Sequence, residues 1–275
     1  METHAPSDYT KYESHKDILK QIFAGAVCLD VYVINLDNQT GRLAAMQAQV
    51  PGLRRIAAID GWKLPPQELA RGLHFPDGYD LSPPEIGCTK SHRAAWTELL
   101  ASGEPCACVL EDDALLSADF NRIIAQHHWL PACYDLIKIE TTQQDILLDK
   151  QSDSQIEDRN LYRLRSRHLG AGGYIVSHRG AEKLLELSET YLYPVDVLMF
   201  DHRVPEFAQL RIYQMTPALC IQPPYLGQNQ TDSSIEAHRA RKPKRTLRYS
   251  MGRRLHDLRS LAKRPLHFSL CVPFD

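Results

Sequence analysis

Val109-Leu110-Glu111-Asp112-Asp113 closes an apolar run that begins at Cys106. Such a run, stopped abruptly by three carboxylates, is the pattern of a buried strand that delivers acidic side chains to the open edge of a sheet. Three adjacent like charges repel one another and raise each other's pKa unless a cation neutralises them, so a divalent metal with oxygen ligands is one reading of the triplet. A solvated acidic turn is the other. The sequence on either side has to decide between them.

Upstream, Asp30-Val-Tyr-Val-Ile-Asn-Leu-Asp37 is β-branched and aromatic and runs into Asn38 to Gly41, predicting a strand, a turn and a helix from about Arg42. In open α/β sheets ligands gather at the carboxyl ends of strands, which places Asn35, Asp37 and Arg42 at a site edge. A second strand over Arg54 to Ile59 ends in the turn signal Asp60-Gly61, so Asp60 points to the same edge. Trp62 to Pro84 reads as a long loop with one helical turn, and Pro84 to Leu100 as a loop passing into a helix that carries Ser91, His92 and Trp96. Downstream, a helix is expected over Ser117 to Trp129, a strand over Tyr134 to Glu140, and a polar, mobile stretch over Thr141 to Asn160. A strand from Leu161 then leads to Gly170-Ala-Gly-Gly-Tyr-Ile-Val-Ser177 and a helix to Ser188. Those glycines match neither G-x-G-x-x-G nor the P-loop, and instead let backbone pass close to a ligand or a neighbouring strand. Tyr193-Pro-Val-Asp196, with Asp201 and His202, forms a second acidic patch, and two separated patches suit a metal plus a general base. Pro217 to Gln222 is strand-like, and a polar loop follows to Ser234.

The 275 residues have the apolar and charged fractions of a soluble enzyme, and no stretch approaches the roughly 20 apolar residues of a membrane span. Met1 to Asp17 lacks the order of a signal peptide, so a cytoplasmic chain is expected. Seven cysteines without C-x-x-C read as reduced thiols, making disulfides and structural zinc poor explanations. The net charge of −2 conceals an asymmetry: Arg239 to Arg264 holds eleven Lys or Arg against one acid, leaving 21 bases and 33 acids elsewhere. Leu247, Met251, Leu255, Leu258 and Leu261 recur there at helical spacing, which describes a basic amphipathic helix suited to an anionic membrane surface. Packing onto the acidic body is the alternative, and nucleic acid is not the expected partner. Three segments result: an N-terminal helical extension over 1–28, an α/β domain over 29–236 and a basic helical tail over 237–275.

Six ordered blocks resemble glycosyltransferase family 25: Asn35-Leu36-Asp37 with Arg42, Asp60-Gly61, Glu85-Ile86-Gly87-Cys88 with Ser91-His92 and Trp96, Leu110 to Asp113, Gly173 to Ser177 with Gly180-Ala181, and Pro194-Val195-Asp196. The resemblance implies a GT-A-like (Rossmann-like) nucleotide-sugar-binding α/β domain with a mixed central sheet. It implies an inverting transfer of a hexose, galactose from UDP-galactose first, onto a lipooligosaccharide or lipopolysaccharide core saccharide linked to lipid. It also implies Mn²⁺ or Mg²⁺ at an acidic motif that here is Glu111-Asp112-Asp113. The residues carried over are Asp113, Glu111 and His202 for the metal; Asn35, Asp37, Arg42, Asp60, Ser91, His92, Glu111, Asp112 and Gly173 for the donor; and Asp196, then Asp201 and Glu85, for the base. Such an enzyme would sit peripherally on the inner face of the inner membrane. Competing readings are a transferase with a protein or soluble glycan acceptor, a metal-dependent phosphoester hydrolase, and a non-catalytic sugar-nucleotide or membrane-surface binder.

Overall fold

The computed structural model describes residues 29–70, 80–190, 193–227 and 267–274. The expected N-terminal helix and the basic segment 239–264 lie outside these residues.

Apolar residues on both faces build one end of the large sheet. Strands β1 (Asp30–Asn35), β2 (Arg54–Ala57) and β3 (Cys106–Glu111) run parallel, with β1 between the other two. Tyr32, Ile34, Ala107 and Val109 face one side, and Val31, Val33, Cys108 and Leu110 the other. Both faces are covered, which is why β3 reads as unbroken apolar sequence instead of alternating with polar residues. Next come β4 (Leu115–Leu116), β5 (Leu136–Lys138), β6 (Glu140–Thr141), β7 (Asp145–Ile156), β8 (Arg159–Leu164), β9 (Gly173–Ser177), β10 (Ile212–Thr216), β11 (Cys220–Ile221) and β12 (His267–Cys271). Among the described residues the large sheet has nine strands in the order β12-β7-β8-β10-β5-β9-β3-β1-β2, and β4, β11 and β6 make a smaller one. Strand β9 is antiparallel to both β3 and β5, so the sheet is mixed.

Six α-helices lie among the described residues: α1 (Thr40–Gln49), α2 (Pro66–Ala70), α3 (Pro83–Ser102), α4 (Phe120–Ile124), α5 (His178–Leu187) and α6 (Val195–Phe200). Ala95, Trp96 and Leu99 of α3 pack on one face of the sheet with Ala181 and Leu184 of α5 and Met199 and Phe200 of α6. Met46 of α1 and Phe120, Ile123 and Ile124 of α4 close the other face.

Four local expectations change. Helix α3 begins at Pro83 because Glu85 Oε2 accepts from both the backbone N–H (2.8 Å) and the hydroxyl (2.7 Å) of Ser82, a reciprocal cap that prolines in the first turn do not disturb. The helix expected over 117–129 is reduced to α4. Thr141 to Asn160 holds a twelve-residue strand, β7, paired with β8; its middle is exposed on both sides, so its polar sequence carries no strand signal. Residues 267–271 of the expected helical tail form β12, which pairs antiparallel with β7 at the sheet's edge.

Candidate active site

The carboxyl ends of β1, β2 and β3 and the amino end of antiparallel β9 open onto one cleft of about 280 Å³. Its walls include Arg42, Asp60, Trp62, Glu85, Cys88, Ser91, Glu111, Asp112, Asp113, Gly170, Asp196, Gln222 and Tyr225. Because β9 runs against its neighbours, the chain that enters it, Gly170 to Gly172, reaches the same edge as the acids that leave β3. Glu111 N–H donates to the Gly172 carbonyl at 3.1 Å and joins the two.

Each acid of the triplet is held differently. Asp112 accepts from Asn35 Nδ2 at 2.7 Å and from Arg42 at 3.2 Å. Asn35 is in turn fixed by Arg55, which donates from Nε to its side-chain oxygen at 3.0 Å. Glu111 and Asp113 share Gln222, whose Nε2 donates to Glu111 Oε2 at 2.9 Å and to Asp113 Oδ1 at 3.0 Å. The other Glu111 oxygen lies 3.3 Å from His92 Nε2 and accepts from the Cys88 thiol at 3.7 Å. Trp96 Nε1 donates to the Tyr174 hydroxyl at 2.8 Å, and that oxygen lies 2.8 Å from His92 Nδ1. A hydroxyl that accepts from Trp96 still has its own proton to give, and His92 Nδ1 takes it, which leaves Nε2–H facing Glu111. Cys88 Sγ, His92 Nε2 and a Glu111 oxygen lie within 4.8 Å of one another, but with Nε2 protonated the trio is a hydrogen-bonded support for Glu111.

The electrostatics separate the acids. Burial pushes Glu111 up, but the hydrogen bonds from His92, Cys88 and Gln222 outweigh it and leave the carboxyl below its ordinary value. Burial and the neighbouring Glu111 push Asp113 up to about 6, only partly opposed by Gln222 and Arg42. Beneath them Glu140 is pushed to about 7 by burial despite Lys138, whose Nζ donates to it at 2.6 Å and to the Gly170 carbonyl at 2.6 Å.

The other expected site residues divide. Asp196 lines the cleft from the first turn of α6; its Oδ1 accepts from Val197 N–H at 3.0 Å and its Oδ2 from Gly170 N–H at 3.4 Å. Asp60 also lines it, accepting from Trp62 N–H at 3.0 Å. Ser91 accepts from Ile59 N–H at 2.8 Å and so ties the end of β2 to α3. Glu85 borders the cleft, but one carboxylate oxygen is committed to the α3 cap and the residue is buried. Asp201 is buried at the end of α6 in an ion pair with Arg203 and lies outside the cleft wall. His202 follows it away from the cleft, with its ring edge-on to Phe207. Asp37 is exposed and paired with Arg55. Gly173 is a packing glycine: a Cβ there would lie 2.2 Å from Cys220 Sγ. Asp201, His202, Asp37 and Gly173 are therefore not part of the cleft wall, and neither are Asn35 and His92, which are buried behind Asp112 and Glu111, since charge and motif alone do not fix which way a side chain faces.

Gln222 and Tyr225, and the buried Lys138–Glu140 pair behind the cleft wall, were not legible in the sequence. Gln222 sits 109 residues from Asp113 along the chain, and a lone glutamine after a short strand carries no signal. Lys138 ends β5 and Glu140 opens β6, and a Lys and a Glu two positions apart are as common on exposed strands as on buried ones.

The model of a protein family described as glycosyltransferase family 25 (LPS biosynthesis protein) matches residues 28–199, more than half of the chain. The chain belongs to glycosyltransferase family 25. Over 151 residues this family 25 chain is 31% identical to the lacto-N-neotetraose biosynthesis glycosyltransferase LgtE of Neisseria meningitidis serogroup B, covering 52% of the chain and 54% of that protein. Over 195 residues it is 28% identical to the lipooligosaccharide biosynthesis protein lex-1 of Haemophilus influenzae, covering 66% and 64%. The chain thus spans about half to two thirds of the length of these curated relatives. The matched family region contains the triplet and Asp196 but ends before Gln222 and Tyr225.

Proposed function

We propose that this protein is an inverting, metal-dependent glycosyltransferase that moves a hexose, galactose from UDP-galactose, onto a lipid-linked lipooligosaccharide or lipopolysaccharide core saccharide. The reading rests on one observation: Glu111, Asp112 and Asp113 leave β3 into a cleft that also carries Asp196 on a different element. The relatives' names, which speak of lacto-N-neotetraose and lipooligosaccharide biosynthesis, support the acceptor class. A GT-A-like nucleotide-sugar fold is in keeping with the mixed sheet and with a cleft at its parallel carboxyl ends.

The donor set suits a hard divalent cation. Asp113 offers carboxylate oxygens, burial and Glu111 make its charge costly without a cation, and Glu111 stands beside it. Asp113 and Glu111 would hold Mn²⁺ or Mg²⁺, which when bound supplies positive charge to the diphosphate as the glycosidic bond breaks. Arg42, held by Asp112, which Asn35 supports from behind, shapes the nucleotide end of the cleft. Asp196 takes the proton from the acceptor hydroxyl as that oxygen attacks the anomeric carbon, from the side away from the leaving diphosphate. Its two backbone hydrogen bonds hold the carboxylate in place for that task. The basic segment Arg239 to Arg264 would keep the enzyme at an anionic membrane surface, where a lipid-linked acceptor is concentrated.

Isothermal titration with UDP, UDP-galactose, UDP-glucose and UDP-N-acetylglucosamine, each with Mn²⁺ and with EDTA, tests the donor half. Metal-dependent binding with UDP-galactose preferred is expected, and Asp113→Ala should abolish the metal dependence. Equal binding in Mn²⁺ and EDTA would remove the metal from the mechanism, and no binding of any nucleotide would remove the transferase reading.

A further inference from the structure

Among the described residues two large hydrophobic side chains stand exposed, Trp62 at 59% and Leu226 at 39%. Trp62 lines the cleft, and Leu226 adjoins Tyr225, which also lines it, in the turn Pro223–Leu226. Exposed apolar groups scattered over a surface carry little meaning, but Trp62 is part of the cleft wall itself.

Trp62 is also held rigidly. Asp60 accepts its backbone N–H at 3.0 Å, which pins the turn Gly61–Lys63. Gly61 sits so close to the start of α3 that a Cβ would lie 1.7 Å from the Pro83 carbonyl oxygen, and one on Gly87 would lie 2.5 Å from the Ile59 carbonyl oxygen. Two glycines and an aspartate thus clamp the turn against α3 while Trp62 stays more than half exposed. Exposing that much of a large apolar side chain on a fixed turn is unfavourable for the free protein, and a flat ligand recovers part of that cost.

We propose that Trp62 is the stacking platform for a pyranose ring of the saccharide acceptor, at the outer lip of the cleft. The proposal rests on the transferase reading and deepens it by assigning an acceptor subsite. A pyranose presents polarised C–H groups on one face, and the negative face of an indole attracts them while shedding water. A nucleobase belongs elsewhere in the cleft: bound bases and cofactors are mostly enclosed, and Trp62 is more than half exposed. An oligosaccharide that enters by its reactive end and projects outward brings a following ring to the lip, where Trp62 stands.

The protein supplies its own probe. It has three tryptophans, and Trp96 and Trp129 are buried, so iodide quenching of tryptophan fluorescence reports on Trp62. Full-length protein is titrated with lactose, N-acetyllactosamine and de-O-acylated lipooligosaccharide, and separately with UDP plus Mn²⁺, while quenching is followed. The saccharides should protect the quenchable fraction, UDP should not, and Trp62→Phe should remove that fraction. In transfer assays Trp62→Ala should raise the acceptor KM about two- to tenfold, the range expected of one aromatic contact, leave UDP affinity unchanged, and be partly rescued by Trp62→Tyr. Protection by UDP alone, or by none of the saccharides, would overturn the platform, as would an unchanged acceptor KM in Trp62→Ala. Saccharide protection in a protein that shows no sugar transfer would uphold the platform and overturn only the transferase reading.

Discussion

At the scale of single residues, the acids of this protein differ less in kind than in what holds them. Asp201 and Asp196 sit five positions apart at the two ends of α6, yet the first is buried in an ion pair with Arg203 while the second lines the cleft. A proton acceptor must reach the substrate, and that separates the two where sequence could not. Asp196→Asn preserves shape and removes basicity, so kcat for transfer should fall by about 10²- to 10⁴-fold, while UDP affinity measured by titration stays at the wild-type value. Asp201→Asn should instead lower thermal stability, because it leaves the Arg203 guanidinium half-buried beside a neutral amide. If Asp196→Asn keeps wild-type turnover, the base lies elsewhere in the cleft. The triplet was legible through the strand and turn signals that flank it in order, not through its own charge, which a solvated turn shares; the supports of Glu111 were not, since Trp96, Tyr174 and His92 meet only after folding.

At the scale of elements, what was legible is what both faces of the sheet demand. β1 and β3 are apolar along their length because both their faces are covered, and α5 shows its buried stripe at Ala181 and Leu184. β7 was invisible because strand pairing with β8 satisfies its backbone while much of its side-chain surface faces water. The start of α3 was hidden by its prolines, although Ser82-Pro-Pro-Glu85 spells a capping box. The contact of α3 with the turn after β2 has a direct consequence. Gly87→Ala places a methyl 2.5 Å from the Ile59 carbonyl oxygen and 2.6 Å from Gly61 N, both backbone atoms that cannot rotate away. It should destabilise the protein by about 1–3 kcal/mol, the usual cost of overpacking, and should loosen the turn that carries Asp60 and Trp62. Gly41→Ala on α1 meets nothing within 4 Å and serves as the control; thermal denaturation of both variants decides, and equal midpoints would disprove the clamp.

At the scale of the whole molecule, the C-terminal segment belongs to the domain it was expected to leave. β12 pairs along five residues with β7, Val272 is fully buried, its carbonyl accepts from the Thr141 hydroxyl at 2.7 Å, and the Pro273 carbonyl accepts from Ala218 N–H at 2.8 Å. Composition hid this, because a basic stretch of 26 residues from Arg239 to Arg264 dominates the reading of everything after it. A truncation before Arg239 would therefore confound two effects, the loss of the charged segment and the unmasking of the β7 edge. They are separable. Deleting 267–275 removes a buried valine and two hydrogen bonds besides the strand pairing, on the order of 3–5 kcal/mol, and should lower the melting temperature by about 10 °C. Replacing the Lys and Arg of 239–264 with Gln, with β12 intact, should leave melting unchanged and reduce co-sedimentation with anionic vesicles containing phosphatidylglycerol. Equal melting of the deleted and full chains would mean that β12 adds nothing to the fold, and equal co-sedimentation of the Gln variant would detach the basic segment from any membrane role.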